Sequence, residues 1–540
     1  MLSRFRKRLN LDDFATINRR RVLRSLGASA LLTATGGLFS RSVWSQPVFT
    51  SNPFTLGVAS GDPAADGFVI WTKIAPKPLE RGAGMPNKPV EVEWTVAGDE
   101  GMKQVVQKGK AIAHPELGHA VHVEVAGLAP VRDYFYQFAV GGERSPVGRS
   151  RTFPQAGAAV AQLRFGVAGC QRYEAGFYTA YRRIAAERLD FLFHYGDYIY
   201  EYPTVKPGAL PYPVVRVMPG EPGETFTLED YRHRYSLHQL DADLQAAHAS
   251  TPFIMSFDDH EVANNWAADM PAKPVSREAF LLRRAAAFQA WYEHMPLRRA
   301  QMPKGPDILA YRRLMIGDLL AMNVLDTRQY RSDQPCGDGV KPDCAEALEP
   351  NRTMLGDKQE QWLYDSFRAP NVNASRWTLL AQQVPIMRGD RNPDPSIFAP
   401  SLDKWDGAVA ARDRLLAAVE NAKLRNLVVV DGDVHFNSAG ELKKNFADEK
   451  SATLGVEFVA TSISSLGDGY DTNKRHAALM QQDPHIKFYN AQRGYVRHVV
   501  TPERWQADYR VLDKVTVPDG NMTTRKSFLV ENGNSRLVDA

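Results

Sequence analysis

The sequence predicts a multidomain β plus α/β chain, with an all-β module in front of a larger layered α/β domain. Three observations carry that reading. Period-two alternation marks half-buried strands before residue 155, as in Val90, Val92, Trp94 and Val96. Short apolar runs alternate with helical segments from residue 163 onward. Clusters of Asp, His, Tyr and Cys follow directly on several of those runs, where open α/β folds gather their reactive groups.

The elements follow in chain order. Asn18-Arg-Arg-Arg-Val-Leu-Arg24 precedes a mildly apolar run from Leu26 to Phe39. This resembles a twin-arginine signal peptide over residues 1–45, with Asn18 where Ser or Thr is usual and cleavage expected before Gln46. The run is shorter than the roughly 20 residues that span a bilayer, so no membrane anchor is expected after signal removal. Residues 47–155 carry the alternating strands, including Val121, Val123 and Val125, and Tyr134, Tyr136, Phe138 and Val140. Leu128-Ala-Pro-Val-Arg-Asp-Tyr134 has the form of a tyrosine corner, which predicts an immunoglobulin/fibronectin-like β-sandwich. The Ala/Gly-rich stretch 155–162 reads as a linker. Strands are expected at 163–168, 191–195, 252–257, 319–325, 377–382, 427–430 and 456–460, and helices at 178–189, 228–247 and 277–294. In the last, Leu281, Ala285, Phe288, Tyr292 and Met295 recur at helical spacing and are assigned to core. The catalytic domain is taken as 163–520 and residues 521–540 as a C-terminal tail.

Composition narrows the function. Residues 1–45 hold nine Lys/Arg against two Asp/Glu, so the remainder carries 57 basic and 60 acidic residues and gives no electrostatic reason for a nucleic-acid partner. There is no P-loop and no dinucleotide fingerprint, and Gly57-Val-Ala-Ser60-Gly61 has the wrong spacing for a nucleophile elbow. Cys336 and Cys344 bracket a Gly/Asp/Pro-rich loop and are expected to pair in an oxidising compartment.

Four short motifs carry the chemistry. In His194-Tyr-Gly-Asp-Tyr-Ile-Tyr200, Asp197 and Tyr200 can reach one ion. A phenolate ligand favours a hard trivalent cation, because the phenol must lose its proton far below a free pKa of about 10; the alternative for Tyr200 is an interfacial aromatic. Cys170 ends the strand at 163–168 and is either a thiolate ligand or a small buried hydrophobe. Asp258-Asp-His-Glu261 places four ionisable residues where they would repel one another without a cation: Asp259 is the ligand, His260 the candidate proton donor to the leaving oxygen, and Glu261 its orienting partner. Asn264 adds a metal-binding oxygen or is a capping amide. Asp431-Gly-Asp-Val-His435 offers Asp433 and His435 to two neighbouring ions, with Asp431 behind them. Arg328, in Asp326-Thr-Arg-Gln-Tyr330, either clamps two phosphate oxygens or pairs with Asp326. Such a set reads as a binuclear centre for phosphate-ester hydrolysis.

The order and spacing of these motifs resemble the alkaline phosphatase D (PhoD-like phosphodiesterase) family of the metallophosphoesterase superfamily. Phe54-Thr-Leu-Gly-Val-Ala-Ser-Gly-Asp-Pro63, Val69-Ile-Trp-Thr72, Gln359-Glu-Gln-Trp-Leu363 and Trp405-Asp-Gly407 carry it further, over about residues 50–520. The resemblance implies a layered α/β/β/α catalytic domain and a mixed centre of Fe3+ with one or two Ca2+. Asp197 would bridge, Cys170, Tyr200 and His435 would hold iron, and Asp259 and Asp433 would hold calcium. The superfamily's first Asp-x-His block is absent here, and Gly169-Cys170 stands in its place. The implied activity is attack by a bridging hydroxide on a phosphate mono- or diester, with His260 protonating the leaving group, in an enzyme exported by the twin-arginine machinery to the periplasm or medium. The other readings are a phospholipase D-like phosphodiesterase acting on phospholipid or wall polymer, and a catalytically silent surface-binding protein. Residues 202–227 and 331–354 are the candidate pocket walls.

Overall fold

The computed structural model describes residues 48–540, so the signal-peptide reading of residues 1–45 lies outside the described residues. Two large sheets face each other. One runs in the order Asn534–Asp539, Met522–Glu531, Arg504–Leu512, Gly494–Val500, Leu163–Ala168, Phe191–His194, Phe253–Met255, Val58–Ala64, Gly67–Lys73 and Ala120–Val125. The other runs Arg312–Ile316, Leu320–Val324, Trp377–Ala381, Leu427–Asp431, Thr453–Val459, Asn437–Lys443 and Ile486–Asn490. The centres of both are parallel, and both acquire antiparallel strands toward their edges.

Period two explains why these runs must be sandwiched. Val428 and Val430 face the core between the sheets together with Val167, Phe193, Ile254 and Phe458. Leu427 and Val429, on the opposite side of the same strand, pack against the helices Gly356–Phe367 and Val409–Asn421. Leu192, Phe253 and Met255 likewise meet the helices Leu228–Gln239 and Arg277–His294 on the other outer face. A strand apolar on both faces needs a layer on each side, and the result is the expected helix–sheet–sheet–helix arrangement.

Several boundaries differ from expectation. The helix expected at 228–247 is broken, because the Asp241 side chain accepts from the backbone of Asp243 and Leu244 and starts a new helix, Ala242–Ser250. In Arg277–His294 the buried face runs through Phe280, Arg284, Ala287, Phe288, Trp291 and Tyr292, while Leu281 and Ala285 are only half-buried. Residues 521–540 are not a tail. Met522–Glu531 and Asn534–Asp539 extend the first sheet, and Phe528 and Val530 enter the inter-sheet core. The stretch 155–162 is pinned rather than free: Val160 N–H donates to Asp318 Oδ1 at 3.1 Å and its side chain joins the core.

The N-terminal module is a sandwich with one shared wall. Val90–Ala97, Val105–Ala113, Asp133–Val140, Glu143–Arg144 and Gly148–Arg151 form its own sheet. Its facing strands, Val58–Ala64, Gly67–Lys73 and Ala120–Val125, are continuous with the catalytic sheet, and their apolar faces close on Tyr136, Phe138 and Val92. Tyr134 Oη meets the backbone of Ala129 at 3.0 Å (N) and 3.3 Å (O), the tyrosine-corner contact. At the seam Gly61 lies opposite Phe253, where a Cβ would fall 2.4 Å from the Pro296 carbonyl oxygen and 2.7 Å from that of Phe253. Gly61→Ala should therefore push the two halves apart and cost about 1–3 kcal/mol of stability, which lowers the denaturant midpoint; an unchanged midpoint in equilibrium unfolding would show that the seam tolerates a Cβ.

Candidate metal centre

Parallel strands of both sheets end at one place. Cys170 follows Leu163–Ala168, Asp197 and Tyr200 follow Phe191–His194, and Asp258, Asp259 and His260 follow Phe253–Met255. From the second sheet come Arg328, after Leu320–Val324, and Asp433 and His435, after Leu427–Asp431. Among the described residues three sets of donor atoms each fall within 4.8 Å: Cys170, Asp197 and His435; Asp197, Asp259 and His260; and Asp197, Asp258, Asp259 and Asp433. Asp197 belongs to all three, which is the placement expected of a bridging ligand.

The backbone is bent to make this convergence. Cys170, Asp197, Asp433 and His435 have φ of 53°, 55°, 65° and 58°, a left-handed conformation uncommon for non-glycine residues. Such strain persists only where the surroundings enforce it. Tyr195 packs into the middle of this convergence. A Cβ on Gly169 would sit 2.4 Å from its ring and one on Gly432 2.2 Å from it, so both motif glycines make room for the same side chain, whose hydroxyl donates to the Thr461 carbonyl at 2.9 Å.

Two sides of the site differ in chemistry. On one, Tyr200 Oη lies 3.0 Å from Asp197 Oδ2, 3.1 Å from His435 Nε2 and 2.7 Å from Ser465 Oγ, and Cys170 Sγ is 3.2 Å from Asp197 Oδ2. Burial, reinforced by the nearby Asp197, pushes both the Cys170 thiol and the Tyr200 phenol well above their ordinary pKa values. Either would ionise only against a strong local positive charge. Burial and the cations around it, Arg493 foremost, hold His435 well below its usual pKa, which keeps its ring neutral and fit to ligate. On the other side Asp197, Asp258, Asp259 and Asp433 offer carboxylate oxygens. Burial raises the Asp197 carboxyl to about 7, His260 opposes that shift, and the like charges of Asp259 and Asp258 add to it. Asp197 Oδ1, Asp258 Oδ2 and Asp259 Oδ1 are buried without hydrogen-bond partners. Buried, unpartnered carboxylate oxygens turned on one another are the signature of a cation site. The N/O/S set on the first side fits a transition-metal ion, and the all-oxygen set fits a hard divalent one.

Arg328 does not form the expected side-chain pair with Asp326. It is fully buried, with Nε 2.5 Å from Asp258 Oδ1 and Nη1 2.8 Å from Asp403 Oδ1, and Nη2 near Asp259 and Asp433 at 3.6 and 3.7 Å. Asp326 instead takes the backbone N–H groups of Arg328 and Gln329. The guanidinium is thus committed to carboxylates, where it offsets their mutual repulsion. Lys404 does the same from the rim, pairing with Asp433 and with Asp403 at 3.2 Å.

His260 is oriented by Glu201, whose Oε2 lies 2.7 Å from Nδ1, and not by Glu261. The Glu261 carboxylate caps the backbone N–H groups of Asp197, Tyr198 and Asp258, tying two motif loops together. Burial alone would lower the His260 pKa, but Asp259, Asp197 and Glu201 outweigh it and push it up to about 10. Asn264 lies beside this pair: its N–H donates to Glu201 Oε1 at 2.8 Å, and its Oδ1 accepts from Tyr202 Oη at 2.8 Å. Glu201, Asp258, Ser465 and Lys404 were not assigned from sequence. Ser465 had a signal, since Thr461-Ser-Ile-Ser-Ser465 follows an apolar strand as the other motifs do.

A PhoD-like phosphatase model matches residues 165–509, and a model of that family's N-terminal domain matches residues 40–154. The chain belongs to the PhoD-like phosphatase family. It is 45% identical over 526 residues to alkaline phosphatase D of Bacillus subtilis (strain 168), covering 97% of this chain and 89% of that protein. It superposes on the solved structure of PhoD with a TM-score of 0.87 at 47% identity, over 92% of this chain and 93% of that one. The purple acid phosphatase PPD1 of yellow lupin shares the fold, with a TM-score of 0.52 at 12% identity over 88% and 73% of the two chains. This PhoD-like chain is accordingly a phosphoric ester hydrolase with candidate metal ligands at its strand ends. Among the described residues no helix is long and apolar enough to cross a membrane.

Removing the Glu201 charge removes one of the three carboxylates that raise the His260 pKa, so Glu201→Gln should make the ring lose its proton at lower pH. NMR titration of the histidine rings would read the shift; a midpoint that stays put would take Glu201 out of this role.

Proposed function

We propose that the protein is an exported alkaline phosphatase and phosphodiesterase working through a mixed Fe3+–Ca2+ centre. The observation that carries the proposal is the position of Asp197, shared between a Cys/Tyr/His side and an all-carboxylate side. Cys170, Tyr200 and His435 would hold iron with Asp197. Asp258, Asp259 and Asp433 would hold calcium with the same Asp197, and Asn264 would add an oxygen by giving up its bond to Tyr202. When bound, the cation pair would supply Lewis acidity, lowering the pKa of a water and offsetting charge on the phosphate oxygens.

The chain's own residues do the rest. His260 Nδ1 is held by Glu201, which leaves Nε2 to donate a proton to the leaving oxygen. Its high pKa keeps that proton available at alkaline pH, to an extent that bound cations reduce by neutralising Asp197 and Asp259. Arg328 and Lys404 hold the acidic side together before substrate arrives. Asp433 and His435 are only partly buried, so substrate would enter from their side. Export by the twin-arginine route is supported by Asn18-Arg-Arg-Arg-Val-Leu-Arg24 and by the Cys336–Cys344 disulfide, which suits an oxidising compartment.

Purified enzyme should hydrolyse p-nitrophenyl phosphate or its bis-ester at alkaline pH, with EGTA suppressing turnover; full activity after exhaustive calcium removal contradicts the calcium half. Asp197→Asn should abolish turnover, by at least about 10³-fold, whereas a near-normal rate in a steady-state assay contradicts the bridging role. Tyr200→Phe should lower the iron content read by elemental analysis, and zinc in place of iron in the unmodified protein would overturn the ligand assignment.

A further inference from the structure

The carboxylate side of the centre is braced by a loop that takes no direct part in it. Cys336 and Cys344 form a disulfide that closes a loop in the expected pocket wall. Inside it, Asp338 Oδ2 accepts from Asn265 Nδ2 at 2.5 Å. The backbone N–H of Asn265, at a left-handed φ of 50°, donates in turn to Asp259 Oδ2 at 2.7 Å. A second arm leads to the other end of the acidic side. The Gly339 carbonyl accepts from Leu402 N–H at 2.9 Å and Val340 bridges Ser401, which places the loop against the segment that delivers Asp403 and Lys404. Just before the disulfide, Gln334 Nε2 spans both arms, donating to the Asn265 carbonyl at 3.0 Å and to Asp403 Oδ1 at 2.6 Å.

The Cys/Tyr/His side has separate supports. Ser465 Oγ donates to the Cys170 carbonyl at 2.7 Å, and Arg493 Nη1 donates to the carbonyls of His435 and Ser465 at 2.8 and 3.0 Å. No contact of the disulfide loop falls on these residues among the hydrogen bonds described. The two halves of the centre are therefore built on different struts.

We infer that the disulfide-closed loop is a positioning device for the carboxylate half alone, with Asp338 setting Asp259 through Asn265. Groups that orient a ligand without touching the ion typically change metal affinity by about 10–100-fold when lost. A loop that reaches only one half should shift the affinity for one cation and leave the other. The inference rests on the iron–calcium reading above and adds to it a residue and a disulfide that govern calcium alone.

The test is calorimetric titration of Ca2+ into calcium-depleted, iron-replete enzyme, with iron counted by elemental analysis on the same samples. Asp338→Ala and the double variant Cys336→Ser/Cys344→Ser should each weaken calcium binding about tenfold with iron content unchanged. Asp338→Asn keeps an acceptor oxygen for Asn265 and should recover most of the affinity. Calcium affinity within about twofold of the unmodified enzyme in both weakened variants would overturn the inference. So would parallel loss of iron and calcium, which would mean that the loop supports the whole fold. Failure of the unmodified enzyme to bind calcium at all would instead overturn the iron–calcium reading, so the two failures are distinguishable.

Discussion

Everything at the centre of this molecule follows from mutual repulsion among buried acids. Asp197, Asp258 and Asp259 are each almost completely removed from solvent, and Asp433 joins them at the rim. Charges this close in a poorly solvated crevice cannot all ionise without positive partners. Arg328 and Lys404 supply part of that charge, and the carboxylate oxygens left without partners mark where more belongs. The two-sheet fold serves this constraint by aiming the carboxyl ends of strands from both sheets at one point, while its apolar layers keep water out.

The geometry assigns different tasks to groups of the same type. Asp197 is shared by both halves, Asp326 and Glu261 satisfy backbone N–H groups, and Glu201 fixes a histidine. Position relative to the strand end decides which task an acid receives. Residues that leave the strand with a left-handed backbone turn their side chains into the cluster, as Cys170, Asp197, Asp433 and His435 do. Tyr195 lies between Gly169 and Gly432, and neither position leaves room for a Cβ beside its ring.

Much of this was legible in the residues. The layered domain and the sandwich with its tyrosine corner follow from periodicity and turn residues, the Cys336–Cys344 pair from the loop the two cysteines bracket, and the meeting of Cys170, Asp197, Asp259, Asp433 and His435 from their places just past apolar runs together with the family resemblance. What stayed hidden depended on pairings distant in sequence. Nothing around Gly61 indicates that it will lie against Phe253 and fuse the two modules into one sheet. After Met522 the strand Met522–Glu531 runs through polar and basic residues from Thr523 to Ser527 before Phe528 and Val530 enter the core, so it reads as a tail. Arg328 lies two residues from Asp326, which makes a local pair the natural reading. Its actual partners arrive from 258–259, 403 and 433, and no local pattern predicts their meeting.

The central claim is that one carboxylate, Asp197, joins a Cys/Tyr/His iron site to an all-oxygen calcium site. Anomalous diffraction from crystals of the metal-loaded enzyme, collected on both sides of the iron absorption edge, tests it most directly. The account predicts an iron peak in bonding contact with Cys170 Sγ, Tyr200 Oη, His435 Nε2 and Asp197, and a second, non-iron cation held by Asp197 with Asp259 and Asp433. An iron peak among Asp258, Asp259 and Asp433, or a single ion that Asp197 does not touch, would contradict it.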